Sequence, residues 1–258
     1  MSQMEQNTQR VLRHSAPTEL FPASAGKETT PLAAPEAKPS LGKTLLHVAW
    51  MSIVLGLVIE GLILIVASSF DKLIEGKTVL ADLVQKVSWS VIVCIGLALG
   101  RGAARLQAAT QAVSNAAAMS TVGLAGLLSA PLAFAVARSL HEGMQEALFI
   151  KIFQGGGGSP VLLALIKGLE YGCLGALLVW VGKQVWGKAL AHAGVGLAVG
   201  VVFGAILIGV LAVGAKAPTP ISGWLARAIN EIINPVGCSL TLYAAEILGR
   251  GGQAIAED

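Results

Sequence analysis

Six runs of about twenty mostly apolar residues follow one another along this chain, the length that a helix needs to cross a hydrocarbon core. They cover residues 45–69, 79–100, 116–137, 161–181, 193–214 and 224–248. Lipid offers no partner to a backbone N–H or C=O, so such runs must satisfy those groups internally, as helices or closed barrels do. Strict alternation of apolar and polar residues, the mark of a barrel strand, is missing over any useful length. The expected fold is therefore all-α: a polytopic integral membrane protein with about six transmembrane helices and one interfacial amphipathic helix. Composition agrees, since 54% of residues are hydrophobic and 13% charged, against about 25% charged in soluble domains.

Three regions are expected. Residues 1–43 hold five prolines and no apolar run, which predicts a disordered tail that cannot bury enough surface to offset its ordering entropy. Residues 44–250 form the helical transmembrane domain, and residues 251–258 a short polar tail. The interfacial helix is placed at 138–154, where Leu140, Met144, Leu148 and Ile152 recur every four residues. Ser159 is read as an N-cap and Pro160 as the first residue of the fourth span. Lys and Arg divide evenly between the two sides, so an N-terminus in the cytoplasm is expected on little charge bias. The host membrane stays open.

Charges inside the apolar runs are the sharpest functional signal. Glu60 lies in the first span, and Lys167 and Glu170 lie three apart on one face of the fourth. A charge at the bilayer centre opposes insertion by at least ~2.5–3.5 kcal/mol unless it pairs or meets water. The three residues are therefore expected to form one polar intramembrane site, with Lys167 shared between the two carboxylates. Gly196, Gly200 and Gly204 strip side chains from one face of the fifth span and predict a tight helix contact. Asn234 and Pro235 interrupt the sixth, where proline removes a backbone donor, and predict a broken helix.

Familiar catalytic patterns fail on inspection. "LGKT" at 41–44 lacks the first glycine of a phosphate loop, because position 37 is Ala37. "HEGMQ" at 141–145 has Gln145 where a zinc-binding HExxH needs its second histidine. Cys94, Cys173 and Cys238 have no metal or disulfide spacing. The chain is thus expected not to be an enzyme and to need no metal or cofactor. Two functions fit: a small transporter or channel using the Glu/Lys site, or a non-transporting scaffold or assembly subunit of a larger membrane complex. The expected partners are the lipid bilayer and other membrane subunits or a second copy. Nucleic acid is excluded by a net charge of only +3.

Overall fold

The computed structural model describes residues 41–70, 75–110, 114–150, 159–215 and 218–254, with side chains described as far as residue 248. The expected N-terminal tail lies outside the described residues, apart from its last three positions. Six α-helices and no strand occur among the described residues: α1 (Leu41–Ser68), α2 (Gly76–Thr110), α3 (Asn115–Ala147), α4 (Pro160–Val181), α5 (Ala189–Gly214) and α6 (Ile221–Ala254). Each helix packs on its sequence neighbour, and α6 returns to α1, so the six close a ring. Smaller contacts join α2, α4 and α6 across its middle.

The outer surface of this bundle is as apolar as its core, and the core admits polar groups. Leu128, Leu132, Leu165, Leu169, Val201 and Ile206 are exposed, whereas Ser52, Ser90, Ser129, Thr241, Lys167 and Glu170 are buried. An outer surface of Leu and Val is stable only where the surroundings are as apolar as the side chains. Five helices, α1 to α5, are long and apolar enough to cross a membrane; α4, the shortest with 22 residues, still reaches about 33 Å. The protein is an all-α polytopic membrane protein.

Several boundaries differ from the sequence expectation. The sixth apolar run falls short of a span by composition, because α6 carries Arg227, Asn230, Glu231, Asn234 and Glu246. Two of these polar residues, Glu231 and Asn234, are buried inside the bundle instead, and Arg227 is exposed. No separate interfacial helix begins at residue 138. The segment 138–147 continues α3 without a break, supported by an Arg138–Glu142 ion pair at 2.7 Å, one helical turn apart. At 33 residues, α3 is about 50 Å long and outruns a hydrocarbon core of about 30 Å. It stops where Phe149 takes a left-handed conformation (φ 55°) and the Ile150 N–H bonds the Gln145 carbonyl. Residues 151–154 of the expected interfacial helix lie outside the described residues. At the other end of the chain, α6 extends to Ala254, into the expected polar tail. Ser159 occupies the N-cap of α4 with Pro160 first in the helix, but its hydroxyl makes no capping bond.

Candidate functional site

The inner stripe of α4 runs Lys167, Tyr171, Leu174, Leu178, Val181 at spacings of three and four, with Glu170 beside Tyr171 on the same face. Two charged residues therefore enter the bundle on the same face as the core. Lys167 Nζ donates to Glu170 Oε2 at 2.8 Å and also to a carboxylate oxygen of Glu231, brought in by α6. The ammonium lies 5.7 Å from the Trp89 ring centre and 5.9 Å from that of Tyr171, within reach of both π faces. A chain of amides extends the site across α6 to α2. Asn230 donates to Glu231 Oε1 at 3.5 Å, Asn234 donates to the Asn230 carbonyl and to its Oδ1 at 3.1 Å, and Ser90 donates to Asn234 Oδ1 at 3.2 Å. One polar atom is left over: Glu170 Oε1 is buried with no hydrogen-bond partner.

Glu60 is not part of that cluster, which corrects the single three-residue site expected from the sequence. Its carboxylate sits 2.6 Å from Lys86 Nζ, held by proximity rather than by an aligned hydrogen bond. The reason is local. α1 and α2 are antiparallel neighbours joined by a short connection, so the last turns of α1 face the first turns of α2. Lys86 is 12% exposed and Glu60 5% at the side chain, so neither faces lipid.

A cavity of about 430 Å³ separates and connects the two groups. Lys86, Trp89, Lys167, Asn230, Glu231 and Asn234 line it, with Asp82, Gln85 and Arg227 nearer the helix ends. Outside it, His141 Nδ1 approaches Asp82 at 3.5 Å. The lining comes from the last turns of α1, α3 and α5 and the first turns of α2, α4 and α6, so the cavity occupies one half of the bundle. It reaches Lys86 and Lys167, the partners of Glu60 and Glu170, rather than those two carboxylates themselves.

The other half is closed at its centre, while an apolar groove lined by Val54, Val58, Tyr243 and Leu248 lies between α1 and α6. Arg101 Nη1 meets Glu246 at 3.3 Å while its Nη2 donates to the Leu178 carbonyl at 3.2 Å, so one guanidinium on α2 ties α4 to α6. Arg105 holds the second oxygen of Glu246 at 2.7 Å. His192, near the start of α5, is buried and lies against Tyr243, with ring centres 4.8 Å apart and planes tilted by 44°. Below these residues Cys94 and Cys238 touch, sulfur to sulfur at 2.9 Å, whereas Cys173 is exposed.

The glycine face of α5 lies against α6. A Cβ on Gly196 would stand 2.6 Å from the Pro235 carbonyl oxygen, and one on Gly200 3.0 Å from the Glu231 carbonyl oxygen. Gly204 faces the Glu231 side chain, 2.9 Å from its Cβ. These contacts also explain why the helix is not broken at Asn234–Pro235, as the sequence suggests: α6 runs straight through. Pro235 has no N–H for the Glu231 carbonyl one turn earlier, and that carbonyl is accommodated in the seam against Gly200.

Sequence reasoning missed two site residues. Lys86 lies inside the second apolar run, 79–100, but ahead of its uninterrupted apolar stretch. Yet it stands three before Trp89 and seven before Val93, both buried, so helical periodicity already puts it on the inner stripe. Glu231 stands three before Asn234 and seven before Cys238, both buried, so the same periodicity carries it inward. No known protein family, curated protein or solved structure matches this chain.

Proposed function

We propose that this protein is a small membrane transporter whose substrate site is the charged cavity between Lys86 and Lys167–Glu231. The observation that carries this reading is the cavity itself. Its volume of about 430 Å³ lies within the range of small-molecule sites, about 300–1,000 Å³. Charged residues in a membrane bundle that line a cavity mark substrate or ion pathways. The walls present ammonium, guanidinium, carboxylate and amide groups together, which suits a small polar solute carrying both signs, such as a zwitterion. A scaffold that used its charges to hold neighbouring subunits would turn them outward; here Glu60, Lys167 and Glu170 are buried.

We propose that the N-terminus lies in the cytoplasm, the orientation that the labelling below tests. The cavity then opens away from the cytoplasm, and the Arg101–Glu246–Leu178 tie closes the cytoplasmic end. Single cysteines in a background without Cys94, Cys173 and Cys238 test this. Asn230→Cys should react with a membrane-impermeant thiol reagent from the non-cytoplasmic face alone, and Leu97→Cys from neither. In reconstituted vesicles, zwitterionic solutes should exchange and the labelled Asn230→Cys protein should be blocked. An Asn230→Cys that stays unlabelled from both faces would refute the proposal.

A further inference from the structure

The cluster around Lys167 does not balance its charge. Lys167 brings one positive charge to two carboxylates, Glu170 and Glu231, and all three side chains are at least nine-tenths buried. The groups facing it from the other helices do not supply the difference. Glu60 of α1 and Lys86 of α2 cancel each other at 2.6 Å. From α2 and α4 come Trp89 and the phenol of Tyr171, and from α6 the neutral amides Asn230 and Asn234. α3 and α5 contribute Phe134, Leu207 and Leu211 to the cavity. Asp82 with His141, and Arg227, stand at the cavity's outer end. Independently of this count, Glu170 Oε1 is fully buried and has no partner. A bare carboxylate oxygen in that setting lacks the donors that would stabilise its charge, whereas a neutral carboxyl group gives up far less hydration there.

We infer that Glu170 is the proton-binding site of the transporter, loaded from the vestibule through Glu231 and Lys167. This rests on the vestibule reading above and deepens it to proton-coupled transport. Two carboxylates sharing one counter-charge in a low-dielectric site cannot both ionise cheaply, so the pair holds one proton. Glu231 is on the cavity wall. A hydronium ion there gives its proton to the Glu231 carboxylate and remains as water. Lys167 Nζ bonds both carboxylates, so it passes one of its own protons to Glu170 as it takes the one from Glu231. The ammonium ends as it began, Glu231 is again ionised, and Glu170 is a neutral carboxyl.

The test is infrared titration of the full chain in phosphatidylcholine vesicles, which needs no substrate and is separate from cysteine labelling. At neutral pH the wild type should show the C=O stretch of one protonated carboxyl per chain. Glu170→Gln should lose the whole band because the carboxyl is gone. Glu231→Gln should lose it too, because Lys167 and Glu170 then balance and the proton leaves. No band in the wild type, or a band that survives either substitution, overturns the inference. So does a wild-type band that disappears when sodium replaces choline in the buffer, which would assign the site to a metal cation. Should Glu170→Gln fail to fold, Glu170→Asp decides instead: its band should shift in frequency, and an unshifted band would put the proton on Glu231 and overturn the inference. Failure here with Asn230→Cys still labelled leaves the vestibule reading standing.

Discussion

The two halves of the bundle use the same vocabulary of buried ion pairs to opposite ends. In the half where α2, α4 and α6 begin, Lys86 and Lys167 hold three carboxylates around a cavity of about 430 Å³. In the half where those helices end, Arg101 and Arg105 grip Glu246, and Arg101 spends its second amino group on the Leu178 carbonyl. A planar guanidinium with five fixed donors can bridge two helices at once, whereas an ammonium is a compact point charge. Packing follows the same division. The closed half is filled by the His192–Tyr243 and Cys94–Cys238 contacts, and the open half leaves its polar groups facing a space large enough for ~14 waters at the volume of liquid water. Ion pairs bridge helices in both halves, Lys86 to Glu60 and Lys167 to Glu231 in one and Arg101 to Glu246 in the other; the halves differ in whether side chains or a gap fill the space beside the charges.

Substitutions can break or sharpen that contrast, and the largest effect belongs at the centre of the open half. Lys167→Leu strands Glu170 and Glu231 and should lower stability by ~3–5 kcal/mol, as removal of one partner from a buried ion group does. Adding Glu170→Leu should recover only part of it, since Glu231 still lacks its cation. Denaturant unfolding in mixed micelles measures both, and strictly additive effects would show that the residues do not act as one cluster.

Gly200→Leu comes next, in the seam between α5 and α6. Its Cβ alone would stand 3.0 Å from Ile232 Cα and the Glu231 carbonyl oxygen, so about 1–3 kcal/mol of overpacking strain is expected. Loss of a monodisperse elution peak or a lowered Tm would register it; an unchanged Tm would mean that the seam is looser than these distances. Lys86→Ala should cost less than Lys167→Leu, roughly 1–3 kcal/mol, because the freed Glu60 carboxylate then borders the cavity. A loss equal to that of Lys167→Leu would mean that the cavity does not relieve the stranded charge.

Arg101→Gln tests the closed half. Arg105 still holds Glu246, so the stability loss should be about 1 kcal/mol. The informative change is access: Leu97→Cys, shielded in the parent, should become reactive from the N-terminal face. Unaltered labelling would show that the aromatic and sulfur packing, rather than the guanidinium, closes that end. Arg138→Ala, which removes an exposed pair one turn apart on α3, should change stability by no more than ~0.5 kcal/mol. A larger loss would mean that this projecting end of α3 bears on the bundle.

How much of this was legible in the residues themselves varies with the range of the interaction. The all-α membrane architecture was readable because the apolar runs at 45–69, 116–137, 161–181 and 193–214 each carry the length of a span within a single segment. The Lys167–Glu170 pair was readable for the same reason, since residues three apart on a helix meet whatever surrounds them. The Gly196, Gly200, Gly204 stripe announced a bare face, though not that α6 would lie on it.

What only the tertiary structure decided is who meets whom between helices. Glu60 and Glu170 look alike in sequence, each a lone acid in an apolar run, yet one takes Lys86 and the other shares Lys167 with Glu231. Pro235 looks like a break, and becomes a tolerated donor gap once Gly196 and Gly200 let α5 approach the carbonyls around it. Arg101 and Glu246 stand 145 residues apart. The sequence determines each helix and the stripe it turns inward, because those depend on bonds between near neighbours. The partner of a buried charge depends on which stripes face one another after packing, and no local periodicity carries that information.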